Sequence, residues 1–174
     1  MAGTMTESAA WPAPAAPTAP AAPAAPRWLD PDEQAVWRAF LDVSRLLFEQ
    51  LNRQLSDESG MSLAEYEILV QLSEAPGRRM RMSEVADRVV SSRSRITHTV
   101  GRLEDRGMVA REPCADDGRG VLCVLTDAGF ARLEAAAPGH VEMVRTVMFD
   151  PLDPPDVEHL GVALTKMREK LRGC

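Results

Sequence analysis

The sequence predicts a mainly α-helical fold carrying one small β-hairpin. Two observations carry that prediction. Aromatic residues make up only 5% of a chain that is 45% hydrophobic, and Ala, Leu, Val and Met fill the gap. Such a composition suits helices packed on helices better than a large sheet. Apolar residues also recur at helical spacing over most of the chain, and that rhythm gives way in the middle to two short β-prone runs.

Each element has a local cause. Asp30 can cap a first helix, Pro31 suits its first position, and Glu33 completes a capping-box pattern. This helix is expected to reach about Ser56, with Val36, Phe40, Val43, Leu47 and Leu51 in one stripe and Trp37, Leu41, Phe48 and Leu55 widening it. A stripe this broad on a long helix implies two contacts, one to its own domain and one to a partner chain. Ser62 and Glu65 form a second capping box, opening a helix to about Glu74 that Pro76-Gly77 stops. A third, short helix holds Glu84, Val85, Ala86, Val89 and Val90. Ser91 and Ser92 make a turn, and Ser92 caps a fourth helix that runs to Arg106 and is closed by Gly107. Met108–Cys114 and Gly120–Leu125 read as the arms of a hairpin around residues 115–119. Thr126 caps a fifth helix, expected to break or kink at Pro138-Gly139 and to continue to about Phe149. A sixth begins at Asp153-Pro154-Pro155-Asp156 with Leu160, Leu164, Met167 and Leu171 on one side.

At 174 residues the chain has room for one domain with a proper core. Residues 1–29 form an Ala/Pro-rich tail, with six prolines between Trp11 and Pro26, and such a segment is expected to be disordered or polyproline-like. No apolar run approaches the roughly 20 residues a bilayer requires. The opening Met-Ala-Gly-Thr lacks the basic and apolar regions of a secretion signal. A cytoplasmic location is therefore the expectation. Cys114, Cys123 and Cys174 have no metal-ligand spacing among themselves or with His98, His140 and His159. No metal and no cofactor is expected. Cys114 and Cys123 fall on opposite arms of the hairpin, where a redox pair is conceivable and inert thiols are the commoner outcome.

The net charge of −6 argues at first against a polyanionic partner, but its distribution reverses that. Between Arg78 and Arg119 stand ten arginines and seven acidic residues, a net of +3 that leaves −9 for the remainder. A basic middle in an acidic protein is the electrostatic footprint of a polyanion site. Every cation in it is arginine, whose rigid fork suits phosphates and guanine edges. Scattered arginines on a solvated surface would give the same count.

Register decides between these readings. In Ser92–Arg106 the residues Ile96, Val100 and Leu103 must face a core, which turns Ser94, His98, Gly101 and Asp105 outward, flanked by Arg95 and Arg102. Two short helices joined by a tight polar turn, followed by a hairpin, make a winged helix-turn-helix. Small residues at Ser94 and Gly101 let a backbone approach base edges, while Arg95 and Arg102 can reach guanine or phosphate. His98 is either a base contact or a protonatable group. At the hairpin tip Arg119, oriented by Asp117, can enter a minor groove. No P-loop, nucleophile elbow, GxGxxG or paired-carboxylate motif is present, so an enzyme is not expected.

These residues resemble the MarR/SlyA family of bacterial regulators from about Asp30 to Leu171. The resemblance rests on Ser92-Arg93-Ser94-Arg95-Ile96-Thr97, on Arg102-Leu103-Glu104-Asp105-Arg106-Gly107-Met108-Val109, on Asp117-Gly118-Arg119 and on Leu125-Thr126-Asp127-Ala128-Gly129. It implies a winged helix-turn-helix lobe (61–125) and dimerisation helices at both ends (30–57 and 126–174). A homodimer would then bind a pseudo-palindromic operator in double-stranded DNA. It further implies contacts to DNA from Ser92, Arg93, Ser94, Arg95, Thr97, His98 and Arg102 and, in the wing, from Asp117 and Arg119. A small phenolic or anionic effector would weaken that binding, and Trp37 and Phe40 are candidates to line its cleft. The chain departs from the oxidation-sensing branch, having no cysteine before Cys114. A competing reading is a winged-helix module that binds protein and has no specific DNA site.

Overall fold

The computed structural model describes residues 26–114 and 117–173, and of residues 117–119 the backbone alone. The chain runs α1 (Pro31–Ser59), α2 (Leu63–Ser73), β1 (Arg79–Arg81), α3 (Met82–Arg88), α4 (Arg93–Asp105), β2 (Val109–Cys114), β3 (Asp117–Leu125), α5 (Asp127–Val144) and α6 (Pro154–Arg172). A 3₁₀ turn at Pro76–Arg78 precedes β1, and a π turn at Arg145–Phe149 follows α5.

The caps form where the sequence places them. Asp30 Oδ1 accepts from the Glu33 amide at 2.8 Å while Glu33 accepts from the Asp30 amide at 3.0 Å. Ser62 and Glu65 reciprocate in the same way. The side chains of Ser92, Thr126 and Asp153 each accept from the amide three residues on. Gly60, left-handed at φ 62°, closes α1 three residues beyond the expected end.

Four expectations need correction. The hairpin belongs to a three-stranded antiparallel sheet in the order β1-β3-β2, since Arg79–Arg81 pairs with Leu122–Val124. The second arm begins at Asp117 and not at Gly120, with a register shift at Pro113/Cys114. The third helix stops at Arg88 and excludes Val89 and Val90. Helix α5 runs unbroken through Pro138. A proline there forfeits one intrahelical bond, and Gly139 lets α5 sit directly on Glu58 and Gln54 of α1.

Between α3 and α4 the chain turns through Val90 at φ 49°, a left-handed conformation that costs a residue with a Cβ roughly 1–2 kcal/mol. Val90 is 86% exposed, and the neighbouring Ser91 hydroxyl is buried without a partner among the described residues.

One core joins the elements. Leu55, Ile68, Leu69, Leu72, Val85, Val100, Leu103 and Cys123 are fully buried in it. The core draws on only the last part of α1, where Leu51 and Leu55 are buried. Val36, Val43 and Phe48 of the same helix are more than half exposed. Among the described residues α6 buries nothing, and it makes at most marginal contact with the other elements. No helix of the described residues is long and apolar enough to cross a membrane.

Candidate nucleic-acid interface

Helix α4 is seated by Ile96, Thr99, Val100 and Leu103, all buried. Thr99 joins the three residues the register predicts because its hydroxyl is satisfied internally, donating to the Arg95 carbonyl at 3.0 Å. With that face fixed, Ser92, Arg93, Ser94, Arg95, Thr97, His98 and Arg102 are all exposed. The Ser92 hydroxyl is partly committed, accepting from the Arg95 amide at 3.3 Å. Thr97 donates to the Arg93 carbonyl at 2.9 Å, which leaves its methyl and the oxygen lone pairs outward. The side chains of Asp117 and Arg119 lie outside the described ones.

The arginines divide into those held by acids and those that are not. Arg78 lies 3.6 Å over the Phe130 ring and 3.4 Å from Asp127. Arg79 pairs with Glu112, Arg88 with Glu84, and Arg111 with Glu104. Arg102 and Arg106 share the carboxylate of Glu65. Arg93 and Arg95, in the first turn of α4, have no carboxylate partner among the described residues. The ten-arginine footprint thus contracts toward the N-terminus of α4, the end whose amides also favour an anion.

Three residues that shape this face were not singled out from the sequence. Arg111 of β2 donates to the Thr97 carbonyl at 2.9 Å while Glu104 holds its other side, tying the wing to α4. Arg81 and Arg111 line, with Ser83, Arg93, Thr97 and Val121, a cleft of about 590 Å³ between α4 and the wing. Glu65 was legible only as a capping residue. It is 5% exposed, and burial alone would raise its pKa. Hydrogen bonds from Ser62 and Arg102 and the Arg102 charge outweigh burial and hold the carboxyl below its ordinary range.

Comparison with known proteins identifies the arrangement. The MarR family model matches residues 59–120, from the end of α1 into the second strand of the wing. Sco3205 of Streptomyces coelicolor, a MarR family transcriptional regulator solved in complex with DNA, is 44% identical. It aligns over 86% of this chain and 93% of its own, with a TM-score of 0.82. AbsC of the same organism, also a MarR family transcriptional regulator, is 44% identical over 86% of this chain and all of its own, with a TM-score of 0.80. The chain belongs to the MarR family of transcriptional regulators. Among curated proteins, the transcriptional repressor YetL of Bacillus subtilis is 28% identical over 120 residues, 69% of this chain and 71% of its own. The winged helix-turn-helix expected from the sequence is the MarR fold, and the family is one of regulators, not of enzymes.

Other candidates occupy different places in this MarR-family chain. Trp37 and Phe40 stack on one another, centroids 6.1 Å apart, on the part of α1 that has no partner in its own core. Cys123 lies opposite Arg111 in the hairpin, and Cys114 opposite Asp117. Three strand residues, about 10 Å, separate the two positions, too far for a disulfide without rebuilding the wing. Both thiols are free and buried, and burial pushes that of Cys123 up to about 12. His140 of α5 packs its ring on Tyr66 at 4.4 Å between centroids, and burial lowers its pKa.

Proposed function

We propose that the chain is a cytoplasmic, ligand-responsive repressor that binds a pseudo-palindromic operator as a homodimer, one α4 in the major groove of each half-site. One observation carries the reading. The outward face of α4 presents Arg93 and Arg95, which have no carboxylate partner among the described residues, beside Ser92, Ser94, Thr97 and His98, all on a helix fixed from beneath. Short side chains admit the helix to the groove, and arginines supply guanine or phosphate contacts. The DNA complex of Sco3205 supports it, and the name of YetL supports repression over activation.

In this reading residues 61–125 are the DNA-binding lobe, and 30–57 with 126–174 are the dimerisation helices. Arg102 supplies a backbone contact, and Asp117 orients Arg119 toward the minor groove. Trp37 and Phe40 lie on the surface given to the partner protomer, where a small phenolic or anionic effector would meet them.

A gel shift on the DNA upstream of its own gene tests the proposal. Wild type is expected to form a specific complex, and Arg95→Ala or Arg119→Ala to weaken it about fivefold or more, about 1–3 kcal/mol. Affinity should fall steeply with added salt as counterions are released. Absence of a specific complex, or unchanged binding by both variants, overturns the reading and returns the winged-helix protein-interaction module as the better one.

A further inference from the structure

We propose that Glu65, on α2 and outside the DNA-facing surface, is a positioning residue for operator recognition, acting through Arg102. The inference rests on the DNA-binding reading above and adds a residue to it. Its starting point is a charge in an unexpected place. Glu65 is almost wholly buried at the N-terminal turn of α2, where its Oε2 accepts from the Ser62 amide at 2.8 Å. Capping needs no charge at that position, since Gln serves there as well as Glu. The charge has a second use: Oε1 accepts from Arg102 Nε at 3.1 Å, and Oε2 lies 3.5 Å from Arg106 Nη1.

Arg102 is held by one edge of its fork. Its Nε is bound from beneath, and its side chain remains 56% exposed, so the outer end of the guanidinium projects from α4 in a fixed direction. A free arginine must give up rotamer freedom to bind a phosphate, and one already oriented gives up less. The local charge agrees. One carboxylate faces two guanidiniums, so the cluster keeps a net positive charge toward solvent while the buried acid stays compensated. Arg93 and Arg95 at the front of the helix have no such anchor among the described residues, so the rear contact is the pre-set one. Its direction is fixed by α2, not by α4.

The test is a double-mutant cycle on the full chain. Wild type, Glu65→Gln, Arg102→Ala and the double variant are titrated by fluorescence anisotropy against operator and against unrelated duplex of equal length, with thermal melts alongside. Arg102→Ala is expected to weaken operator binding about tenfold. Glu65→Gln, which keeps the cap, should weaken it about five- to tenfold, with a similar loss on unrelated DNA, as a backbone contact implies, and no further loss once Arg102 is gone. Arg102→Lys leaves the buried acid untouched and keeps the charge, but an ammonium lacks the second edge of the fork. It is expected to bind operator several-fold more weakly than wild type. A Glu65→Gln loss of equal size in the Arg102→Ala background overturns the proposal, because Glu65 would then act through the fold alone. So does operator binding within twofold of wild type for Glu65→Gln. If that variant does not fold, Arg102→Lys decides, and wild-type operator affinity overturns the proposal. A wild type that does not prefer operator overturns the DNA-binding reading itself; an operator-selective wild type with an additive cycle overturns this inference alone.

Discussion

His140 shows how a single side chain can set the response of the fold to pH. Its ring lies on Tyr66, and its Nδ1 is buried with no hydrogen-bond partner among the described residues. Burial disfavours the cation, so the folded-state pKa lies below the ordinary 6.5. In the unfolded chain the same ring protonates near 6.5. As pH falls through that value the unfolded state takes up the proton first, and stability declines until the folded-state pKa is passed. The contribution is therefore complete above about pH 6.5 and lost below it. Urea unfolding between pH 7.5 and 5.5 is expected to show this decline in wild type and a flatter profile in His140→Gln. Equal slopes would mean that other groups carry the pH dependence. At this scale legibility follows the range of the interaction. The exposure of Arg95 was readable because helical register fixes it. The capture of Arg102 was not, because its acid lies 37 residues earlier and is brought there only by the packing of α2 on α4. Nor does any local signal place Val90 in a left-handed turn, a position for which glycine is the ordinary choice.

Elements bounded by local chemistry were legible almost to the residue. Asp30, Ser62, Ser92, Thr126 and Asp153 all cap as their spacing implies. Strand β1 was not, because Arg-Met-Arg has one buried residue and owes its form to pairing with distant β3. The junction of wing and α5 joins both kinds of information. Thr126 caps α5 and also donates to the carbonyls of Gly107 and Met108, fastening the helix to the start of β2. Gly129, three residues on, is buried against that same Met108 carbonyl, and a Cβ would collide with backbone. Its need is for space and not for a special φ. Gly129→Ala is expected to lose about 1–3 kcal/mol, the usual range for overpacking, despite alanine's higher helix propensity. A urea midpoint equal to wild type would show that the junction can open to admit a methyl group.

At the scale of the whole molecule, α1 and α6 leave large apolar faces uncovered by their own chain. Six large apolar side chains on each stand exposed among the described residues: Val36, Trp37, Phe40, Val43, Leu46 and Phe48 on α1, and Val157, Leu160, Val162, Leu164, Met167 and Leu171 on α6. Monomeric proteins rarely expose continuous apolar surface on this scale. Fully covering one such side chain is worth about 1.5–3 kcal/mol. Association costs on the order of 4–15 kcal/mol in lost freedom, so partial burial of a dozen from each of two chains outweighs it. In the homodimer proposed above, a helix that touches almost nothing of its own chain would gain its place from the second copy. Sedimentation equilibrium at micromolar concentration is expected to give twice the chain mass. Val43→Asp on α1 and Leu160→Glu on α6 should each shift the protein toward monomer. Both positions lie far from α4 in the chain, so their effect on DNA separates dimerisation from base contact. Binding to a single half-site should persist at its weak intrinsic level. Binding to the full operator should fall by two orders of magnitude or more, because two linked half-sites gain from effective concentration what one cannot. A wild type that sediments as a monomer, or variants that bind the full operator unchanged, would remove the dimer from the proposed mechanism.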